Sequence, residues 1–269
     1  MIDPTPLPTG LEPVVHPSAI VDSSARLGSG VRIGPWSIIG PGVELGDGTH
    51  VASNVLIERH TSIGEECRIH HGAVLGSDPQ DLKYEGEYST LRVGDRTTVR
   101  EYATVNRGTA AAGETVVGSD CLLMAYSHVA HDCKLGDHVV LANSANMAGH
   151  VVLEDWVIVG GLTPLHQFVH VGTHAFIGGG SRIPQDVPPY CRAAGNPGKL
   201  YGLNSVGLER RGFDPKVRKA LKKAYRLVFA SKLNVSQGLA RAEVEVEQLA
   251  EVRRFLDFIR GSERGIIQG

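Results

Sequence analysis

The sequence predicts a mainly β protein: short parallel strands wound into a triangular β-helix and followed by a small α-helical C-terminal domain. Three observations predict it. Aliphatic residues recur every sixth position from Val15 through Val21, Leu27, Ile33, Ile39, Leu45, Val51, Ile57, Ile63 and Ile69 to Leu75, and return in the same phase at Val93, Val99 and Val105 and from Val117 to Ile183. The position four residues after an aliphatic is small or β-branched, as at Ala19, Val31, Thr49, Cys67, Ala73, Ala103, Cys121, Cys133 and Ala145. Past Pro188-Pro189 the six-residue period stops and helical spacing begins. A period of six matches neither an α-helix nor a single strand, whereas three short strands per eighteen-residue coil point every sixth side chain into a prism.

Residues 1–190 form the predicted β-helix, with two inserted loops where the phase breaks, at about 77–92 and 110–115. Gly commonly follows the aliphatic (Gly28, Gly34, Gly46, Gly118), where a turn needs a residue without a Cβ. Residues 191–269 form the predicted helical part. Val217, Leu221, Ala224 and Val228 follow an Asp214-Pro215 start, and Leu249, Val252, Leu256 and Ile259 repeat the spacing before Gly261. Cys67, Cys121 and Cys133 fall on the small corner positions; with Cys191 they are widely spaced, without a CxxC pair, and read as buried thiols rather than disulfides or a zinc site.

A formal net charge of −2 over 269 residues gives no sign of a nucleic-acid binder. The charge is unevenly spread: residues 1–195 carry −9 and residues 196–269 carry +7, an acidic body with a basic tail. No run of eighteen apolar residues occurs, and Met1–Gly10 lacks the basic patch and apolar stretch of a signal peptide. A cytoplasmic protein without a membrane span is expected.

Positions eighteen apart lie one above another in such a coil. The hexad at Val129 carries His128 and His131, the hexad at Met147 carries His150, and the hexad at Leu165 carries His166 and Gln167. Counting back by coils from residue 129 reaches both phase breaks, so both loops leave the prism on that column. Loops and imidazoles gathered on one edge add nothing to a solenoid's packing, and they predict a cleft. His16, His50, His60, His70, His71, His138 and His174 read instead as solvated strand-edge residues. Imidazole titrates near neutral pH and is a good general base when a carboxylate fixes its tautomer; His131-Asp132 offers that pair. Such a base can deprotonate a hydroxyl for attack on an activated acyl group, with a backbone N–H at Ala148-Gly149-His150 meeting the oxyanion. The scheme needs neither a Ser or Cys nucleophile nor a cofactor. No metal is expected, because His166 and His170 fall on different faces of a six-residue repeat.

The motifs outside the hexads are more specific. They are Gln80-Asp81-Leu82-Lys83-Tyr84, Arg107-Gly108-Thr109, the run from His128 to Cys133, Ala148-Gly149-His150, Leu165-His166-Gln167-Phe168, the run from Gln185 to Tyr190, Gly195-Asn196-Pro197, Gly202-Leu203-Asn204 and the run from Gly207 to Phe213. With them the chain closely resembles, over essentially its whole length, the acyl-carrier-protein–UDP-N-acetylglucosamine O-acyltransferase family, hexapeptide-repeat enzymes that open lipid A biosynthesis. The resemblance implies a left-handed helix and transfer of a 3-hydroxyacyl chain from acyl carrier protein to the 3-hydroxyl of the glucosamine in UDP-N-acetylglucosamine. It also implies a homotrimer with clefts between neighbouring prisms. Carried over, His131 is the base, Asp132 its orienting partner and the Gly149 N–H the oxyanion donor. Asp81, Lys83, His128, His150, His166 and Gln167 contact the sugar nucleotide, and Asn204, Arg210 and Arg211 reach the nucleotide or the carrier. Gly179 occupies a position where side-chain size limits acyl length. The basic tail suits an acidic carrier protein. The alternatives are the pathway's later N-acyltransferase, which carries an extra N-terminal domain whereas the hexads here begin at Val15, and a non-catalytic scaffold solenoid, which would need neither loops nor a histidine column.

Overall fold

The computed structural model describes residues 12–269; the Met1–Gly10 segment, read above as lacking a signal peptide, lies outside them. Strands mostly two residues long follow one another at six-residue intervals and stack into three faces. The first face runs from Val14–Val15 to Phe176–Ile177, the second from Ile20–Val21 to Pro164–Leu165, and the third from Arg26–Leu27 to His170–Val171. A first corner joins the first face to the second, a second corner the second to the third, and a third corner leads back to the first. Pairing in the coils is parallel and eighteen residues apart, as between Arg32 and His50, except across the two insertions, where every face shows longer offsets, as between Val74 and Thr104 and between Thr104 and His128. The two longer offsets accommodate loops 78–89 and 107–113, both leaving the second face at the second corner. The first loop is narrower than its phase break, because strand Thr90–Val93 extends to four residues, whereas the second begins three residues before its break, where strand Thr104–Asn106 ends.

Every hexad aliphatic from Ile33 to Ile183 is buried, each contributing about 1.5–3 kcal/mol of transfer free energy. Val15 stays partly exposed because it lies in the first coil of the stack. The glycines after the aliphatics have a different cause from the one expected. A Cβ at Gly46 would lie 2.5 Å from the carbonyl carbon of Gly64, and one at Gly118 2.4 Å from the oxygen of Gly136, so the neighbouring coil excludes a side chain. The left-handed turn residue comes two positions later and is often large: Trp36, Tyr102, Tyr126, Asp132, His138, His150, Trp156, Phe168, His174 and Tyr190 have φ between +57° and +66°. Such backbone costs on the order of 1–3 kcal/mol per residue unless its surroundings over-determine it. Here the stacked coils do so, and the side chains form vertical columns at the corners.

After the last full coil, residues 191–203 do not begin the helical part; Cys191–Ala194 joins the first face and turns back as Lys199–Leu203. Four helices follow: α1 (Ser205–Arg210), α2 (Pro215–Phe229), α3 (Val235–Glu245) and α4 (Ala250–Gly261). Asp214 caps α2, accepting from the Lys216 N–H at 2.6 Å, and Leu221, Ala224 and Val228 form its buried stripe, as the spacing predicts. In α4 the expected Val252, Leu256 and Ile259 are buried, while Leu249 is its N-cap. No helix is long and apolar enough to cross a membrane among the described residues.

Candidate active site

The second corner brings together residues that the coil count placed in one column. Asp132 and His150 are successive left-handed residues, followed by Phe168, whose ring stacks on His150 at 4.6 Å. His131 precedes Asp132 and lies directly below Gly149. A Cβ on Gly149 would fall 2.5 Å from Cε1 of His131, so only glycine leaves room for the imidazole. The His131 and His150 rings meet edge to face at 5.3 Å. Among the described residues no acceptor in the chain meets the Gly149 N–H.

Asp132 is 3% exposed, and its oxygens are fully engaged. Oδ2 accepts from Nδ1 of His131 at 2.8 Å and from the Thr109 hydroxyl at 2.7 Å, and Oδ1 accepts from the Thr109 N–H at 2.9 Å; Nε2 of His150 stands 3.5 Å away. Burial alone would push this carboxyl up, but the hydrogen bonds from His131 and Thr109 and the neighbouring His150 outweigh it and hold it below the usual carboxylate range. A carboxylate can only accept, so His131 carries its proton on Nδ1 and leaves the Nε2 lone pair free. His128 accepts from or donates to the Thr104 hydroxyl through Nδ1 at 2.7 Å, and burial, helped by His131, lowers its pKa.

The loops are anchored to each other beside this pair. Arg107, 1% exposed, donates to Gly76 O at 2.7 Å and to the Tyr84 hydroxyl at 2.9 Å and pairs with Asp78. Glu87 accepts from the Ala110 N–H at 3.1 Å. Asp81 and Lys83 sit at the tip of the first loop, where Asp81 Oδ1 accepts the Lys83 N–H at 3.0 Å. The roles of Thr109 and Arg107 went unseen in the sequence, because loop residues carry no period.

The other expected residues are not all here. His166 and Gln167 lie at the second corner, one coil beyond Gly149. Gly179 lies at the first corner, its Cβ position 3.2 Å from Gly161 O. Asn204, Arg210 and Arg211 lie by the third corner: Asn204 caps α1 through Gly207 N and donates to His174 O at 3.0 Å, and the Arg211 guanidinium lies 5.0 Å over Trp156. Within one chain the third face separates them from the histidines. Among the described residues, His131, Asp132 and His150 form the trio close enough to hold a metal ion, with ligand atoms within 4.8 Å; binding one would displace the hydrogen bonds that orient His131.

The fold and the corner define a bacterial-type hexapeptide transferase. The family model for bacterial transferase hexapeptide repeats matches residues 24–59 and 114–149, and the model for domain 2 of UDP-N-acetylglucosamine O-acyltransferase matches residues 186–267. The acyl-[acyl-carrier-protein]–UDP-N-acetylglucosamine O-acyltransferase of Syntrophobacter fumaroxidans is 46% identical over 94% of this chain and 99% of its own length, and that of Myxococcus xanthus 47% over 77% and 80%. LpxA from Acinetobacter baumannii superposes with a TM-score of 0.92 at 40% identity, covering 95% of this chain and all of that one, and LpxA from Bacteroides fragilis with 0.93 at 42%, covering 94% and 99%. The chain belongs to this O-acyltransferase family and shares its left-handed parallel β-helix.

Proposed function

We propose that the chain moves a 3-hydroxyacyl group from acyl carrier protein to the 3-hydroxyl of the glucosamine in UDP-N-acetylglucosamine, the opening step of lipid A biosynthesis, without an acyl-enzyme. The carrying observation is the orientation of His131: its Nδ1–H is held by Asp132, which leaves Nε2 as the base beside the free Gly149 N–H. The sugar hydroxyl adds to the thioester carbonyl while its proton passes to Nε2. The oxyanion accepts from the Gly149 N–H, then the carbon–sulfur bond breaks and the proton moves on to the departing sulfur. All four cysteines are buried, which supports direct transfer.

His128, His150, His166 and Gln167, with Asp81 and Lys83 from the loop, hold the sugar nucleotide; Gly179 bounds the acyl chain at the far edge of the second face. Asn204, Arg210 and Arg211 act on the site of a neighbouring copy in a homotrimer. Face chemistry favours that assembly. The first face carries the outward ladder Leu122, Val140, Ile158 and Phe176, whereas the third carries Arg26 paired with Glu44 and Arg92 with Glu114. The exposed Lys219, Lys222 and Arg226 of α2 suit an acidic carrier, whose apparent affinity falls with ionic strength. A cytoplasmic location follows from these substrates.

A turnover assay with UDP-N-acetylglucosamine and a ladder of 3-hydroxyacyl carrier proteins tests the reading. O-acylated product with one preferred chain length supports it; product found only with an amino-sugar acceptor contradicts it.

A further inference from the structure

The end of the chain is part of the same corner. Beyond α4, Ser262 donates to Asp186 Oδ2 at 2.6 Å, Gly265 O accepts from the Asp186 N–H at 3.0 Å, and the Ile267 N–H donates to Asp186 O at 3.0 Å, where Ile266 pairs with Asp186 in register. These bonds strap the tail across the segment that closes the last coil. Asp186 itself is 4% exposed and also accepts the His170 N–H at 2.8 Å, so the strap is fixed to a buried point.

One contact leaves the strap. Arg264 donates through Nε to Pro184 O at 2.8 Å, which fixes its guanidinium, and Nη2 lies 2.7 Å from Nδ1 of His166, 98 residues earlier. A guanidinium has no acceptor, so Nδ1 of His166 must be the acceptor and cannot carry the proton. The 3.2 Å approach of the same Nδ1 to Gln167 O would need the opposite tautomer, and the shorter contact to a group that only donates decides against it. The proton is then on Nε2, which no group in the chain accepts among the described residues.

We propose that Arg264 is a positioning residue for the transfer reaction: it holds His166 in the Nε2–H tautomer, so that the ring offers one fixed donor to an acceptor oxygen of the sugar nucleotide. The inference rests on the reading above of His166 as a substrate contact. The strap explains why so remote a residue can do this with precision: Arg264 is held on both sides, by the Ser262 hydroxyl before it and by the Gly265 and Ile267 backbone after it.

The test uses the full-length protein labelled with 15N-histidine, its His166 signals assigned with His166→Gln. Nδ1 of His166 is expected at the shift of an unprotonated nitrogen and Nε2 at that of a protonated one. Arg264→Met mixes the two tautomers and raises KM for UDP-N-acetylglucosamine about five- to tenfold, the size of one hydrogen bond, with kcat changed less than about twofold. Arg264→Lys, which keeps a donor, restores most of the loss, and Arg264→Met adds nothing in a His166→Gln background. A protonated Nδ1 in the parent protein overturns the proposal. So does an Arg264→Met defect that persists in the His166→Gln background, since the tail then acts only as a structural cap. The tautomer measurement needs no substrate, so an absence of acyl transfer beside the expected nitrogen shifts overturns the acyl-transfer reading and leaves the tautomer assignment standing.

Discussion

The second and third corners are built by one backbone rule and differ in what reaches them. Each repeats a left-handed residue every coil. At the third corner these residues are His138, Trp156, His174 and Tyr190, stacked with centroids 3.9, 5.9 and 5.9 Å apart, with Arg211 over the Trp156 ring. Their ring faces cover one another, and Asn204 caps α1 beside them. At the second corner the corresponding residues are Asp132, His150 and Phe168, and two loops arrive between coils. The loops deliver Thr109 to Asp132, which turns a stacked column into an oriented histidine–carboxylate pair. The repeat supplies the column of reactive side chains, and the insertion orients it.

Substitutions at the second corner should therefore cost turnover and leave the fold intact, whereas those in the stacked rings of the third, the arginines at its edge apart, should cost stability. The largest effect is expected from His131→Ala, with turnover lowered by about 10²–10⁴ and an unchanged circular dichroism spectrum. Gly149→Ala follows: its Cβ must push the His131 ring aside, and a displacement near 1 Å costs about a hundredfold in kcat. Parent-like kcat in that variant would show that the ring does not need the space. Thr109→Val keeps the N–H bond to Asp132 and loses the hydroxyl bond, so kcat should drop about tenfold in the same assay.

The smallest expected effect lies at the third corner and concerns stability. Burial, with the charge of Arg211 adding to it, pushes His174 down to about 4. An unfolded histidine near 6.5 takes up a proton that the folded one refuses, so this stability is complete above about pH 6.5 and is lost progressively as pH falls toward 4. Urea titrations across that window should show a shallower pH slope for His174→Gln than for the parent, with turnover at pH 7.5 unaffected by the loss of the slope itself.

The hexads made the prism legible, because every inward side chain must be aliphatic and every coil must repeat. They also made the column of His131, Asp132, Gly149, His150, His166 and Gln167 legible, since stacking follows from counting. Other features follow from contacts that no period records. Helix α3 fully buries only Gly238 and Ala242, with Val235 and Leu239 half-buried against the core, so its apolar stripe is short and weak; a Cβ at Gly238 would sit 2.6 Å from Leu227 O, which shows how closely it crosses α2. Its capping box, Asn234 with Gln237, was the available signal. The strand at Cys191–Ala194 was hidden because it follows the two prolines that end the hexads. Thr109 and Arg264 act across 23 and 98 residues of sequence, and only the folded chain joins those ends.

In the proposed homotrimer the second corner of one copy works with the third corner of another. Co-assembling His131→Ala and Arg211→Ala chains in equal amounts tests this most directly. If each site draws on two copies, random mixing rebuilds about one quarter of the sites in parent form, and activity should rise toward about a quarter of the parent value, above either variant alone. Activity no greater than the average of the two variants would mean that each chain carries its whole site, and would contradict the account.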